Sequence, residues 1–309
     1  MENITKIKVI GIGGSGSNTV SRMMASKIKG VELIAVNTDL QHLKKTRAHK
    51  KIRIGQAETM GLGAGMDPKI GEKAAEESRD AIRNCLSGAD LVFITCGLGG
   101  GTGTGASPVV ASILQEMKIL TVAVVTTPFS FEGCKRMMIA RAGLEKMENK
   151  VDALISISND KLFVAIESQA SVDSAFWMCD EILRQAVSGI SDLIVLPGIV
   201  NIDFADVRTI LKNAGSAIFG IGKARGERRA KEAVTAAFNS PLIDVSCKEA
   251  KGVLFNVSGG DDISLSEINE IAQTIKEKVS PNARIIFGAV HDEKLKKEEI
   301  KVTIVVTGF

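Results

Sequence analysis

The chain of 309 residues is 45% hydrophobic and 24% charged, enough apolar material for two packed units or one large α/β domain with an appendage. Its 39 Lys and Arg against 36 Asp and Glu leave a net charge of +3, which excludes a nucleic-acid footprint as the default and leaves only a weak preference for anions. Five scattered cysteines without a CxxC spacing argue for reduced thiols rather than zinc or a disulfide framework, and no apolar run approaches membrane-spanning length.

The N-terminal MENITKIKVIGIG reaches a strand-like run within a few residues and carries Glu2, Lys6 and Lys8, so no signal peptide is expected ahead of the fold. The loop that follows, GIGGSGSN, holds a GxGxxG at Gly11, Gly13 and Gly16, with Asp39 at the end of the next strand pattern, VELIAVNTD. That arrangement fits a dinucleotide site, in which bare backbone approaches a pyrophosphate at a helix start and an acid reads a ribose. It fits equally a tight strand-to-helix turn with no ligand. GLGAGMDP at 61–68 then precedes a helix with Pro68 in its first turn.

DLVFIT leads into CGLGGGTGTGASP, where six glycines fall between positions 97 and 105. Ordering so bare a backbone loses much entropy, which a bound anion would offset. Two bare loops at the carboxyl ends of strands in one sheet suggest a triphosphate held from both sides. A helix expected to begin near Thr104 adds its dipole, and Thr102 and Thr104 add hydroxyl donors. There is no GxxxxGK[ST], and Asn149-Lys150-Val151-Asp152, which spells NKxD, lies at the wrong end of a strand to read a guanine. With ILTVAVVT and DALISIS, the first half reads as a doubly wound parallel sheet, because strands this continuously apolar are buried on both faces.

Residues 172–195 form one long helix with Phe176, Ile182, Leu183, Ala186, Val187, Ile190 and Ile194 at helical spacing, ended by Pro197-Gly198. Phe176 and Asp180 stand four apart on it, so a ring and a carboxylate face one side. The plainer readings are core for Phe176 and a solvated face for Asp180, with Glu181 a competing carboxylate. Asp203 and Asp206 stand in an N-cap and N3 relation at the start of a helix over 204–214, which ordinary capping explains. Then come the strand SAIFGIGKA, a helix over 226–238, the strand GVLFNVSG, the helix SLSEINEIAQTIKEKV, and the strands ARIIFGAV and IKVTIVVTG, taken as neighbours joined by HDEKLKKEE. A smaller mixed sheet with helices on one face is expected. His42, His49 and His291 read as solvated surface residues.

GGGTGTGASP resembles the signature of the tubulin and FtsZ superfamily. KVIGIGGSGSN, AVNTD, GLGAGMDP, ILTVAVVTTPFSFEGCKRM, ISNDKL, AVSGISDLI, PGIVNIDFADVRTIL and RAKEAVTAAFNSPLID follow in the order of the FtsZ family, the bacterial cell-division GTPases. The resemblance covers essentially the whole chain. It implies an α/β fold in which a doubly wound parallel-sheet GTP-binding domain, 1–171, is joined by a long central helix and synergy loop, 172–203, to a smaller α+β domain, 204–309.

The resemblance also implies a site. Gly13, Gly14, Ala64, Gly65, Met66, Gly100, Gly101, Thr102 and Gly103 would cradle the phosphates, with Ser15, Gly97 and Thr126 in the same nucleotide pocket. Glu132 and Arg136 would meet the ribose and a neighbouring phosphate. Asn18, Asn159, Phe176 and Asp180 would hold the base, and Asn37 and Asp39 belong to the same pocket. Asn201, Asp203 and Asp206 would enter the nucleotide site of the next subunit as the catalytic group. The cofactors implied are GTP or GDP and Mg2+, the ion held mainly by phosphates and water with no protein ligand assigned.

The partners implied are further copies of the chain, head to tail, and division-ring proteins at mid-cell in the cytoplasm, with no nucleic acid and no direct membrane insertion. Ser15, Ser17 and Met66-Asp67 depart from the usual residues of the family. The chain stops at TIVVTGF, short of the linker and peptide by which members engage membrane tethers, so a shortened chain is expected and no tether binding is assigned. Two other functions compete: a GTP-binding filament or scaffold with little hydrolysis, and an NAD-dependent oxidoreductase built on GxGxxG and Asp39.

Overall fold

The computed structural model describes residues 5–164, 171–196, 198–240, 243, 246–260, 262–292 and 295–309. The chain divides into two compact units, Met1–Ser188 and Gly189–Phe309.

The first unit runs β1 (Ile7–Ile12), α1 (Gly13–Ala25), β2 (Val31–Asn37), α2 (Leu40–Lys45), β3 (Lys50–Arg53), α3 (Gln56–Thr59), α4 (Pro68–Glu77), α5 (Arg79–Leu86), β4 (Leu91–Gly97), α6 (Gly101–Glu116), β5 (Leu120–Thr127), α7 (Cys134–Glu148), β6 (Ala153–Ser158) and α8 (Asn159–Val164). Its strands lie in the order β3-β2-β1-β4-β5-β6, all parallel. The doubly wound sheet expected from the apolar runs is present. β1 and β5 are buried along their whole length, since helices cover both faces.

On one face Ile10, Ile34, Ile94 and Val125 pack against Ala74, Val110, Ile113 and Leu114 of the covering helices, each large side chain contributing about 1.5–3 kcal/mol when fully buried. β3 escapes the sequence pattern because KKIR is a half-exposed edge, and lysines on an edge are a common guard against strand addition. The NKxD residues are structural. Asn149 ends α7, and Asp152 accepts from Thr121 N–H at 2.8 Å just before β6.

The long helix α9 (Val172–Val195) has the bounds its periodicity predicts. Its buried stripe is Ala175, Cys179, Leu183, Ala186, Val187, Ile190 and Leu193. Ile182 and Ile194, which that spacing placed on the apolar stripe, are only partly buried, and Phe176 is exposed. Pro197, the expected terminator, lies outside the described residues.

The second unit continues with β7 (Gly198–Val200), α10 (Phe204–Leu211), β8 (Gly215–Arg225), α11 (Arg229–Phe238), β9 (Gly252–Gly259), α12 (Leu265–Lys278), β10 (Arg284–His291) and β11 (Glu299–Thr307). The order is β8-β11-β9-β10-β7, a mixed sheet. β10 and β11 are not neighbours, contrary to the sequence reading. α12 carries the chain from β9 to a parallel β10 on one side, so β9's other edge is left for β11, which pairs antiparallel with both β9 and β8.

α10 stops three residues earlier than predicted. Lys212 is extended and Asn213 takes φ +53°, which turns the chain out of the helix. α11 starts at Arg229, whose buried guanidinium bonds Asp262 at 2.6 Å and Glu267 at 2.6 Å. Glu267 also closes a capping box with Ser264 at the start of α12.

Candidate functional site

The strand order reverses between β1 and β4, which is where ligands gather in open α/β sheets. β1 runs directly into a helix, and β4 reaches one after the three-residue turn 98–100. α1 begins at Gly13 and α6 at Gly101, three residues before the start expected near Thr104, so much of the glycine stretch is the first turn of the helix. Neither helix start has a side-chain cap or an acidic residue in its first turn. Their first-turn amides and positive dipole ends are therefore suited to an anion.

The glycines separate into two kinds. A Cβ on Gly16 would stand 2.4 Å from Thr95 O, on Gly103 2.5 Å from Gly97 O, and on Gly105 2.0 Å from Pro68 O, so these positions serve close backbone packing. A Cβ on Gly14, Gly65 or Gly100 would meet nothing within 4 Å. One such opening lies on each of the three loops, as a cradle for a polyphosphate requires.

The loops are tied to one another. A Cβ on Gly13 would stand 3.0 Å from Gly103 N. Gly101 N–H donates to Gly65 O at 3.0 Å, and Thr102 Oγ1 lies 2.7 Å from Thr38 Oγ1. Ser15 packs against Gly97, with the buried Thr126 beside it. Ala64 is buried, and Met66 is 40% exposed. Asp67 caps α4 by accepting from Lys69 N–H, with Pro68 in the first turn as predicted. Thr104 is corrected: its hydroxyl is buried beneath the loop and accepts from Gly99 N–H at 2.9 Å, so it shapes the turn rather than facing a phosphate.

Toward the other end, Asp180 lies against α1. It accepts from Thr19 Oγ1 at 3.4 Å and from Arg22 Nε at 3.3 Å. Burial pushes its carboxyl up to about 6, outweighing the Arg22 guanidinium, which acts to lower it. Glu181 is engaged elsewhere. Burial raises its pKa, but Arg184 and Gln185 together hold it below the ordinary value. Asp180 is thus the carboxylate that faces α1, the helix that starts in the first glycine loop. Phe176 is 41% exposed rather than core, and it meets Phe129 edge to face at 5.5 Å while Phe129 stacks on Phe131.

Asn159 is buried with an unpartnered Oδ1, a state that a ligand donor would relieve. Glu132 accepts from Phe129 N–H at 3.0 Å and pairs with Arg136. Asn18 is exposed, whereas Asn37 is buried. Asp39 caps α2 by accepting from His42 N–H at 2.9 Å, so one oxygen of the supposed ribose reader is committed to a helix start.

Sequence reasoning missed Thr38, Arg22 and His42. Arg22 carried a signal, since it stands four residues after Asn18 on the helix that starts in the glycine loop. His42 is not a solvated histidine: it is half-buried, with both ring nitrogens partnered.

The proposed catalytic residues belong to the second unit and stand together there. Asn201 Oδ1 accepts from Gly198 N–H at 2.7 Å. Asp203 occupies the N-cap position of α10, but its side chain makes no capping bond. Asp206 is exposed in the first turn, its N–H donating to Asp203 O at 3.0 Å. Capping, the plain explanation of Asp203, is therefore not what its carboxylate does. Among the described residues no group of three or more His, Cys, Asp or Glu is placed to hold a metal ion, and no helix is long and apolar enough to cross a membrane.

The sequence matches the Tubulin/FtsZ family GTPase domain over residues 6–167 and the FtsZ family C-terminal domain over residues 215–309. Among solved structures the chain is similar to the empty FtsZ dimer from M. jannaschii, with 48% identity over 98% of this chain and 88% of that one and a TM-score of 0.94. A mutant form of M. jannaschii FtsZ gives the same identity and TM-score, with 98% of this chain and 91% of that chain covered. CetZ2 from Haloferax volcanii, described as a GTPγS-bound protofilament, shares the fold at a TM-score of 0.83 and 20% identity, over 98% of this chain and 92% of that one.

Proposed function

The chain belongs to the FtsZ family of tubulin-related GTPases, and we propose that it assembles head to tail into protofilaments of a cell-division ring and hydrolyses GTP where subunits meet. The observation that carries this reading is the pair of uncapped helix starts, α1 and α6, with glycines facing open space on three adjoining loops. Solved relatives described as a dimer and a protofilament support the self-association.

In this reading the nucleotide unit comprises residues 1–171, the helix and loop 172–203, and the activating unit 204–309. The phosphates of GTP are held by the backbone of Gly13, Gly14 and Gly65 and of Gly100–Gly103. Ala64, Met66 and Thr126 shape the walls, while Glu132 and Arg136 meet the ribose end. Phe176 stacks on the base, and Asp180 accepts its two N–H donors, with Asn18 and Asn159 at its edges. Mg2+ suits this site as an ion held by phosphate oxygens and water, since among the described residues no protein cluster offers it ligands. When bound, it neutralises charge developing on the phosphates.

Asp203 and Asp206 of the next subunit orient and polarise the attacking water, and Asn201 steadies their loop through Gly198. Both carboxylates are exposed, so they are available to a neighbouring molecule. One subunit then binds GTP and the following one completes the hydrolytic site. Cytoplasmic location at mid-cell and contacts with other ring proteins follow from the same premise.

The test is GTP turnover against protein concentration. The rate per subunit is expected to be negligible when dilute and to rise above a threshold. Asp206→Ala is expected to lower turnover about 10²–10⁴-fold with nucleotide binding intact. A per-subunit rate constant across the range, or an active Asp206→Ala polymer, refutes the proposal.

A further inference from the structure

We propose that His42 is a positioning residue for the nucleotide, which dictates which end of the Asn18 amide faces the ligand. The proposal rests on the reading of Asn18 as a nucleotide contact.

The argument starts from one backbone amide. Asp39 N–H donates to Asn37 Oδ1 at 3.2 Å. A carboxamide nitrogen cannot accept, so this bond fixes the orientation of the buried Asn37 side chain and turns its Nδ2 donors the other way. That Nδ2 lies 3.3 Å from His42 Nδ1. The ring nitrogen facing it must therefore accept, which places the proton of the neutral imidazole on Nε2. Nε2 lies 3.0 Å from Asn18 Oδ1 and donates to it. With its oxygen engaged, the exposed Asn18 presents Nδ2, a donor, to whatever binds the loops.

Direction is thus passed from a backbone N–H through Asn37 and His42 to Asn18, each step leaving one polarity. His42 is itself held by the helix cap, in which its N–H donates to Asp39 Oδ1 at 2.9 Å. The ligand that suits the outcome is a nucleotide offering an acceptor, a base or ribose oxygen or a ring nitrogen. A freely rotating Asn18 would spend part of its time presenting the wrong end.

The experiment compares GTP affinity and steady-state turnover for the full chain and for His42→Leu, His42→Gln, Asn18→Ala and the double variant Asn18→Ala/His42→Leu. Glutamine carries an acceptor and a donor about as far apart as the two imidazole nitrogens, so it can hold the same relay. His42→Leu is expected to weaken GTP binding and raise KM about 3–10-fold, with kcat within about twofold because no reacting atom is touched. His42→Gln is expected to restore binding to within about twofold, and His42→Leu is expected to add little to Asn18→Ala.

Wild-type binding by Asn18→Ala overturns the underlying reading of Asn18, and the proposal with it. Weak binding by Asn18→Ala with wild-type binding by His42→Leu overturns the proposal alone. Equal losses in the Leu and Gln variants, or additive losses in the double variant, show a merely structural histidine and also overturn it. Where His42→Leu does not fold, His42→Ala takes its place in the comparison.

Discussion

Replacing Asp180 by Asn should make the empty protein more stable and the nucleotide site worse. The carboxyl sits at about 6 rather than 3.8 because burial disfavours its charge more than Arg22 favours it. That displacement corresponds to about 3 kcal/mol as an upper bound on what ionising Asp180 costs the fold at neutral pH. Between about pH 4 and pH 6 the unfolded chain ionises this group while the folded chain keeps it protonated. The folded state then holds more protons, so this group's contribution to stability is present in full below about pH 4 and is lost as pH rises through about 6.

In the proposed site guanine would reverse the preference, because its N–H donors require the carboxylate. At pH 5 only about a tenth of the empty sites carry that charge, against about nine-tenths at pH 7, so affinity should drop roughly tenfold over that interval. The terminal phosphate of the nucleotide titrates in the same range, at about 6, so the informative quantity is the difference between wild type and Asp180→Asn. Isothermal titration with GDP across about pH 5–7.5, together with urea unfolding of the empty proteins, measures both effects. We expect Asp180→Asn to stabilise the empty protein by about 1–3 kcal/mol at pH 7 and to flatten the pH dependence of binding. An Asn variant that keeps the wild-type pH profile, or is less stable than wild type at pH 7, refutes the reasoning.

Three further outcomes follow from the geometry. Gly100→Ala meets nothing within 4 Å and should unfold within about 1 kcal/mol of wild type yet lose nucleotide affinity, whereas Gly105→Ala, whose Cβ would stand 2.0 Å from Pro68 O, should be destabilised by about 2 kcal/mol or more by urea titration. Asp203→Ala should cost under about 0.5 kcal/mol, well below an ordinary N-cap loss of about 1 kcal/mol, because its carboxylate makes no capping bond. Arg229→Ala removes a buried guanidinium but leaves Asp262 exposed and Glu267 still bonded to Ser264, so it should cost about 1–3 kcal/mol in the same assay, with GTP affinity unchanged.

The parallel sheet and the glycine loops were legible because burial on both faces and bare backbone are written in residue type. What escaped depended on partners. KKIR carries too little apolar pattern to mark a strand, and only pairing with the edge that β2 supplies reveals it. HDEKLKKEE looks like a turn between neighbours, and only the α12 crossover shows that β9 lies between the strands it joins. Asp203 matches a capping pattern that its side chain declines to complete. His42 reads as a solvated surface residue in the sequence, and its meaning comes from two asparagines, one of them 24 residues away in the chain. Position along a helix is readable from sequence, whereas hydrogen-bond direction is not.

The uncapped starts of α1 and α6 leave two helices that the chain itself does not finish. A polyphosphate bound there would serve as their shared cap, and the nucleotide would then count as part of the fold as well as a substrate. Ligand present at about a thousand times its Kd adds about 4 kcal/mol to stability, comparable with the margin on which a folded domain survives. The amount of intact protein would therefore follow the guanine nucleotide supply, with depletion exposing the chain to unfolding before any question of polymerisation arises.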